Sequence, residues 1–270
     1  MRTTDHRIDG PQGLLFARSW LPDKHDTRAS ATIVLFHDSL GCVDLWRDFP
    51  ERLAHATWRQ VVAYDRLGFG RSAFHPGTLA AGFMHAEATA SVPALCEQLG
   101  LGALIPFGHS VGGAMAVATA ALLPERCSAV VTMSAQAFVE DRTVAGIREA
   151  RSTFQEPGQI ERLARYHGGK ARWVLEAWID TWLAPGFAAW TLDADLARVR
   201  CPLLALHGDR DEYGSRHHPE RIGARAAGPT EIVILEDCGH VPYREQPEMI
   251  LRAVTSFLTV ATSTAAGTDT

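Results

Sequence analysis

The sequence predicts an α/β protein built on a doubly wound, mostly parallel β-sheet, with a helical segment inserted near its middle. Two observations support this fold. Short apolar runs alternate with segments of helical spacing over residues 31–134 and again from residue 202, and such alternation is typical of parallel sheets covered by helices on both faces. Between residues 135 and 199 the alternation stops, and this segment carries four of the seven tryptophans in an amphipathic helical pattern.

The strands are predicted from apolar runs, several rich in β-branched residues, that end in polar or glycine-containing loops. They are expected at residues 14–20, 31–36, 60–64, 103–107, 127–134, 202–207 and 231–235. Helices are expected at residues 46–57, 78–99, 114–123 and 245–258. In the second helix, Thr78 is a plausible cap and Pro93 marks a kink or a restart.

Chain length and the interrupted pattern give the domain organisation. A chain of 270 residues has room for one large α/β domain with an inserted subdomain. Residues 1–134 and 200–260 are predicted to form the α/β core, and residues 135–199 a helical cap over one edge of the sheet. Residues 261–270 are small and polar, so we expect a flexible tail there.

Composition disfavours several classes of function. Lys and Arg number 26 against 31 Asp and Glu, a net charge of −5, so we expect no nucleic-acid or membrane partner. No apolar run approaches the roughly 18 residues of a membrane span, and charges through the first twenty residues disfavour a secretory signal. Five scattered cysteines without a C-x-x-C pair indicate reduced thiols in a cytoplasmic protein.

A Gly-x-Ser-x-Gly sequence carries the first candidate catalytic residue. It spans Gly108 to Gly112, between the predicted strand 103–107 and the predicted helix 114–123. A chain that turns from strand to helix within about one residue leaves no room for side chains two positions to either side, hence the glycines. Ser110 is therefore predicted to stand at the carboxyl edge of the sheet, where the helix N-terminus favours a developing anion.

Nucleophilic serine chemistry needs a general base and a group that orients the base, because a serine hydroxyl is weakly nucleophilic at neutral pH. His240 follows the last predicted strand and is predicted to be the base. The acid is either Asp209 or Asp211 in the loop after strand 202–207. We prefer Asp211, because an aspartate directly after a glycine often only shapes the turn. Asp237 is too near the histidine in sequence and is expected to cap a turn.

Acyl transfer also needs amide donors for the oxyanion of the tetrahedral intermediate. One is predicted to be the backbone N–H of Val111, directly after the nucleophile. The second is expected in the loop after strand 31–36, from the N–H of Ser39, with Leu40 as the alternative.

No cofactor and no metal site is predicted. His217 and His218 are adjacent in sequence, so they point to different sides, and they are interpreted as part of a solvated loop. Cys42 and Cys238 lie near the predicted site and are expected to be buried or inert thiols. The cap tryptophans are expected to pack mainly among the cap helices.

Together these sequences resemble the α/β-hydrolase superfamily, over residues 14–258. The resemblance is carried by His37-Asp38-Ser39-Leu40-Gly41, Asp65-Arg66-Leu67-Gly68-Phe69-Gly70-Arg71-Ser72, Gly108-His109-Ser110-Val111-Gly112, His207-Gly208-Asp209-Arg210-Asp211 and Gly239-His240. It implies the α/β-hydrolase fold, a Ser–His–Asp triad, and Asp211 as the acid. A serine nucleophile disfavours the dehalogenase and epoxide hydrolase branches. This chain departs from the family at Asp38, where glycine is usual.

The predicted function is a carboxylesterase-like serine hydrolase that cleaves a small, neutral carboxylic ester, thioester or lactone through an acyl-enzyme. Alternatives are a carbon–carbon bond hydrolase or cofactor-free perhydrolase on the same triad, and a ligand receptor without turnover. Residues 134–139 and the cap resemble valacyclovir-hydrolase-like esterases, and residues 39–41 are similar to those of enol-lactone hydrolases. Val111 stands where the amine-selecting member of the first group has an acid, so no preference for aminoacyl esters is expected.

Overall fold

A mostly parallel sheet of eight strands lies at the centre of the computed structural model, which describes residues 1–23 and 31–265. The strands are β1 (Arg2–Gly10), β2 (Gly13–Leu21), β3 (Thr32–Phe36), β4 (Val61–Asp65), β5 (Leu104–His109), β6 (Val130–Met133), β7 (Leu203–Gly208) and β8 (Thr230–Leu235). Their order across the sheet is β1-β2-β4-β3-β5-β6-β7-β8. The pairings β1–β2 and β2–β4 are antiparallel, and all the others are parallel. The predicted doubly wound sheet is confirmed.

Helices cover both faces of this sheet. They are α1 (Phe49–Thr57), α2 (Phe83–Ala86), α3 (Val92–Leu99), α4 (Val111–Leu122), α5 (Asp141–Thr153), α6 (Gln159–His167), α7 (Ala171–Trp182), α8 (Asp193–Leu196), α9 (His217–Arg225), α10 (Pro242–Glu245) and α11 (Pro247–Ala265). Helices α1 and α11 share one apolar cluster with one face of the sheet, and α3, α4 and α8 share a second cluster with the other face.

Strand β3 shows why the central strands read as continuous apolar runs. All five of its residues are buried. Ile33 and Leu35 belong to the apolar cluster on one face of the sheet, whereas Val34 and Phe36 belong to the cluster on the other face. Because helices cover both faces, neither set of alternating side chains meets water, and no polar alternation is left in the sequence.

The first strand, β1, was not expected from the sequence. Its residues are mostly polar and exposed, and Ile8 is the buried exception. It pairs antiparallel with β2 along its whole length, from Arg2 opposite Leu21 to Gly10 opposite Gly13. Its stability therefore comes from backbone pairing with a neighbouring strand, which leaves no apolar signature in its own sequence.

The segment predicted as one helix over residues 78–99 is shorter and interrupted. It begins at Phe83 rather than Thr78, and one π-helical turn over Glu87–Ser91 separates α2 from α3. Pro93 is the second residue of α3, directly after the π-helical turn, and the backbone stays helical through Ser91 and Val92. The proline thus coincides with an irregular turn inside one helical segment, because its missing N–H cannot join the regular α-helical hydrogen bonding.

Helices α5 to α8 lie between β6 and β7, in the segment predicted as the cap. At the other end of the chain, α11 continues to Ala265, so residues 261–265 extend the final helix instead of beginning a tail. The remainder of that predicted tail, residues 266–270, and most of a predicted polar turn near residues 24–30 lie outside the described residues. Within the described part of the chain, every helix is too short or too polar to cross a membrane.

Candidate active site

Ser110 lies at the sharp turn between β5 and α4. Its backbone has φ 56° and ψ −125°, a strained conformation for a residue with a side chain. The flanking glycines permit this turn. A Cβ on Gly108 would lie 1.9 Å from the carbonyl oxygen of Gly112, and one on Gly112 would lie 2.1 Å from that of Phe36. The close approach of three backbone segments therefore excludes any larger residue at both positions.

The structure brings His240 and Asp211 to the hydroxyl of Ser110. Ser110 Oγ lies 3.0 Å from His240 Nε2, and His240 Nδ1 lies 2.8 Å from Asp211 Oδ2. Asp211 Oδ1 also accepts the N–H groups of Tyr213 and Gly214, at 2.8 and 3.1 Å. These bonds fix the carboxylate, which in turn fixes the imidazole with Nε2 directed at the serine.

Burial and charge act in opposite directions on this pair. Burial lowers the pKa of His240, but the charge and hydrogen bond of Asp211 outweigh burial and raise it above its usual value. For Asp211, burial raises the pKa, but the neighbouring His240 outweighs it and the net direction is downward. Both shifts favour a carboxylate that stabilises an imidazolium.

The other two candidate carboxylates lie away from His240. Asp209 is exposed, and its Oδ1 accepts the N–H of Cys238 at 3.3 Å. Asp237 is also exposed, has a positive φ of 55° and pairs with Arg210. Both contacts link the loop of Asp211 to the loop of His240, and Asp211 is the carboxylate of the three that reaches the imidazole.

The two predicted oxyanion donors are the backbone N–H groups of Val111 and Ser39. Val111 is the first residue of α4, and the first N–H groups of a helix have no intrahelical acceptor. Ser39 lies in the loop after β3 and, like Val111, its N–H has no backbone acceptor among the described residues. Leu40, the alternative, donates its N–H to Asp38 Oδ1 at 2.8 Å. Val111 and Ser39 therefore retain amides that can serve an oxyanion.

A cavity of about 120 Å³ opens beside these groups. Its wall combines polar groups from the sheet edge with apolar side chains from the cap. The lining residues are Asp38, Ser39, Leu40, Ser110, Gln136, Thr143, Ile147, Trp178, Trp182, Tyr213 and His240. Two of the four tryptophans, Trp178 and Trp182, thus line the cavity, and the ring of Trp182 also packs on Phe187 as expected. Trp190 follows that expectation, since its ring stacks on Phe187.

Gln136 is a polar cavity residue that was not among the predicted site residues. It follows β6, is 3% exposed, and its Oε1 lies 3.3 Å from Ser110 Oγ. An amide can both donate and accept hydrogen bonds, so it can contact substrate atoms next to the nucleophile. The sequence feature that could have indicated Gln136 is a single amide side chain among small residues. It comes directly after a strand whose carboxyl end lies at the site.

Helix α5, in the segment predicted as the cap, is hydrogen-bonded to the loop that carries Asp211. In α5, Arg142 Nη1 donates to the backbone carbonyl of Asp211 at 3.0 Å. Its neighbour Thr143 donates from Oγ1 to the carbonyl of Tyr213 at 2.6 Å. The first turn of α5 therefore holds the backbone at Asp211 and at Tyr213.

The cap also reaches the loop that carries Ser39. At the end of α6, His167 Nε2 donates to the carbonyl of Leu40 at 3.0 Å, and its Nδ1 accepts the N–H of Gly70 at 2.9 Å. Lys170 Nζ donates to the carbonyl of Gly70 at 2.7 Å. Burial lowers the pKa of His167, which favours the neutral ring that these two bonds require.

The interpretation of His218 as a loop residue was wrong. His218 lies in the first turn of α9, is 0% exposed, and its Nδ1 accepts the N–H of Ala137 at 3.1 Å. Its neighbour His217 is exposed. Among the described residues, no group of three or more His, Cys, Asp or Glu side chains could hold a metal ion. Burial raises the pKa of Cys42 and Cys238 to about 12, so both remain protonated thiols.

Comparison with known proteins gives matches along most of the chain. The model of the Alpha/beta hydrolase family matches residues 33–253. The 2-hydroxy-6-oxo-2,4-heptadienoate hydrolase of Pseudomonas putida is 26% identical over 87% of this chain and 91% of its own length. The human protein Serine hydrolase BPHL is 30% identical over 62% of this chain and 59% of its own. A thermophilic esterase from Thermogutta terrifontis shares the fold, with a TM-score of 0.71, 22% identity, and coverage of 96% of this chain and 99% of the esterase.

Proposed function

We propose that this chain, which belongs to the alpha/beta hydrolase family and is therefore a hydrolase, is a serine hydrolase. Its proposed substrates are small, neutral carboxylic esters, thioesters or lactones. One observation carries the proposal. The hydroxyl of Ser110, the imidazole of His240 and the carboxylate of Asp211 form a continuous hydrogen-bonded chain that opens on a cavity.

The geometry supports acyl transfer in two steps, acylation of Ser110 and then hydrolysis of the acyl-enzyme. Ser110 Oγ attacks the acyl carbon while its proton passes to His240 Nε2, and Asp211 stabilises the imidazolium that forms. The N–H groups of Val111 and Ser39 donate to the oxyanion. When the tetrahedral intermediate collapses, the imidazolium returns the proton to the leaving oxygen or sulfur. Water then repeats the attack on the acyl-enzyme, with His240 again as the base, and frees the acid.

Cavity size supports a short acyl group. The cavity encloses about 120 Å³. For comparison, an engineered apolar cavity of roughly 150 Å³ in another protein binds one benzene molecule, which has six carbon atoms. In proportion, this cavity accepts an acyl chain of about five carbon atoms. A larger acyl group would have to displace the side chains contributed by the cap.

Charge supports a neutral acyl group. No lysine or arginine is among the described residues that line the cavity. Its one carboxylate outside the triad, Asp38, already accepts the N–H of Leu40 and lies 3.3 Å from a ring nitrogen of His109. Glu176 and Asp180 of the cap, which could otherwise meet an amine, are exposed and do not line the cavity. A charged acyl group would lose hydration here without gaining a free partner.

Carbon–carbon bond hydrolysis is the second candidate, and it is favoured by the likeness to a 2-hydroxy-6-oxo-2,4-heptadienoate hydrolase. The name of that substrate denotes a carboxylate. A buried carboxylate is favourable only when a cation or several donors meet it, and this cavity offers Asp38 instead of a cation. Ester, thioester or lactone hydrolysis is therefore the better match to this cavity.

The test is a pre-steady-state measurement with p-nitrophenyl butyrate, combined with fluorophosphonate labelling. We expect a burst of one p-nitrophenolate per chain, slower steady release, and label on Ser110. The matched control is Ser110→Ala, which should keep the fold and lose both burst and label, with turnover reduced by at least about a thousandfold. A wild-type chain that binds esters without turnover would be a receptor. Faster cleavage of a 2-hydroxy-6-oxo-dienoate than of any ester would favour the second candidate.

A further inference from the structure

We propose that Asp38 is a positioning residue of the oxyanion hole: it selects Ser39 as one amide donor and links the two sides of the hole. This inference rests on the proposed hydrolase function. Asp38 stands where the family usually has glycine, a residue with no side chain to do either task. Three sets of contacts carry the proposal, from its backbone and from each of its carboxylate oxygens.

The backbone carbonyl of Asp38 is held from outside the cavity. His37 Nδ1 donates to it at 2.8 Å, and Arg66 Nη2 donates to it at 3.1 Å. His37 is fixed in that tautomer because its Nε2 accepts the N–H of Arg66 at 3.2 Å. In a trans peptide the carbonyl and the next N–H point in opposite directions. The N–H of Ser39 is therefore directed away from these two donors.

The first carboxylate oxygen removes the competing donor. Asp38 Oδ1 accepts the N–H of Leu40 at 2.8 Å. A glycine at position 38 would leave this amide without its partner. Two adjacent free N–H groups would then offer alternative positions for the oxyanion, whereas the occupied amide leaves Ser39 as the donor of this loop.

The second carboxylate oxygen reaches the other side of the hole. Asp38 Oδ2 lies 3.3 Å from Nδ1 of His109, and Nε2 of the same ring lies 2.7 Å from the carbonyl oxygen of His240. His109 directly precedes Ser110 and is 1% exposed. Both nitrogens of this ring thus face oxygen atoms. The side chain of His109 therefore joins three segments: the loop of Ser39, the turn that carries Ser110 and the backbone of His240.

The charge of Asp38 is compatible with this role. Burial raises the pKa of its carboxyl group, but the hydrogen bond and charge of His109 and the N–H of Leu40 lower it further than burial raises it. The side chain is 26% exposed and lines the cavity. The carboxylate therefore stays ionised, and a charged oxygen is the stronger acceptor for the N–H of Leu40.

The experiment compares Asp38→Ala, Asp38→Asn and Asp38→Gly with wild type. Hydrolysis of p-nitrophenyl butyrate gives kcat and KM, and inhibition by a trifluoromethyl ketone reports affinity for a tetrahedral oxyanion adduct. Removing an oxyanion donor outright lowers kcat by roughly 10²–10³-fold, so its misplacement in Asp38→Ala should lower kcat by about 10–100-fold, with KM within twofold. Affinity for the ketone should fall by a similar factor. Asp38→Asn keeps the acceptor for Leu40 and should recover most of both.

Asp44→Asn is the matched control, since Asp44 is an aspartate that also follows β3 and pairs with Arg71 and Arg18 at the surface. It should change neither kcat nor ketone affinity. Asp38→Gly restores the usual family residue, so it tests the role even if alanine impairs folding. The proposal is wrong if Asp38→Gly and Asp38→Ala keep kcat and ketone affinity within twofold of wild type, or if only KM changes. A wild-type chain without a Ser110-dependent burst would instead overturn the proposed function itself.

Discussion

Ile147 gives the most direct test of how the cap sets acyl length. This residue of α5 is 1% exposed and lines the cavity. Replacing it by alanine removes three carbon atoms from the cavity wall, so the acyl site should admit about three more methylenes. Each buried methylene contributes about 0.8 kcal/mol, which is about fourfold in kcat/KM. Esters three carbons longer than the wild-type optimum should therefore gain up to roughly 60-fold in the variant.

The assay is kcat/KM for p-nitrophenyl esters from acetate to decanoate. In wild type we expect an optimum at about five acyl carbons, in proportion to the cavity of about 120 Å³. In Ile147→Ala the optimum should move to about eight carbons. The variant should also lose about 2–5 kcal/mol of stability, which is measured separately by urea unfolding.

Leu163→Ala separates acyl selection from loss of stability. Leu163 lies in α6, is buried in the same apolar cluster and does not line the cavity. It should lose stability as Ile147→Ala does and keep the wild-type acyl optimum. An unchanged optimum in Ile147→Ala, or an equal shift in Leu163→Ala, would refute the assignment of this cavity as the acyl site.

Three further predictions follow from the carboxylates and the base. Asp211→Asn should lower kcat by about 10³–10⁴-fold, because it removes the charge that stabilises the imidazolium, whereas Asp209→Asn should stay within about threefold of wild type; the reverse order would assign the acid to Asp209. The acid limb of kcat/KM against pH should have its midpoint above 6.5, the ordinary value, because His240 acts as a base only when neutral and its pKa is raised. In Asp211→Asn the midpoint should move to lower pH, and a wild-type midpoint below 6.5 would contradict the charge assignment. Uncharged acyl esters should exceed α-amino esters in kcat/KM by about 10–100-fold, a rough figure for a missing ion pair; if amino esters react equally fast or faster, Asp38 is the carboxylate that meets the amine.

The sheet and the positions of Ser110, Asp211 and His240 could be read from the sequence because local rules fix them. A strand, a glycine-flanked serine and a helix leave one conformation for the turn. Strands that run parallel present their carboxyl ends at one edge, so the loops after β5, β7 and β8 must meet. The order of the strands and loops was enough to predict that these loops meet, whereas it left Asp209 and Asp211 as alternatives for the carboxylate beside His240.

Other features depended on contacts between distant segments and left no local signature. Strand β1 is held by pairing with β2, and its own residues are mostly polar and exposed. His218 looked like a loop residue, and its burial depends on Ala137 from another part of the chain. The partners of Asp38 come from its own loop, from β5 and from Arg66 after β4, so its departure from the family pattern was visible in the sequence while its consequence was not.

The hydrogen bonds from the cap to both site loops affect how this protein would lose activity. Arg142 and Thr143 hold the backbone of the acid loop, and His167 holds the carbonyl of Leu40 in the oxyanion loop. A lid that swings open as a rigid body would break all three contacts at once. We therefore expect helices α5 and α6 and the two loops to open together in native-state unfolding. Such local opening would disorganise the site before the sheet beneath it unfolds.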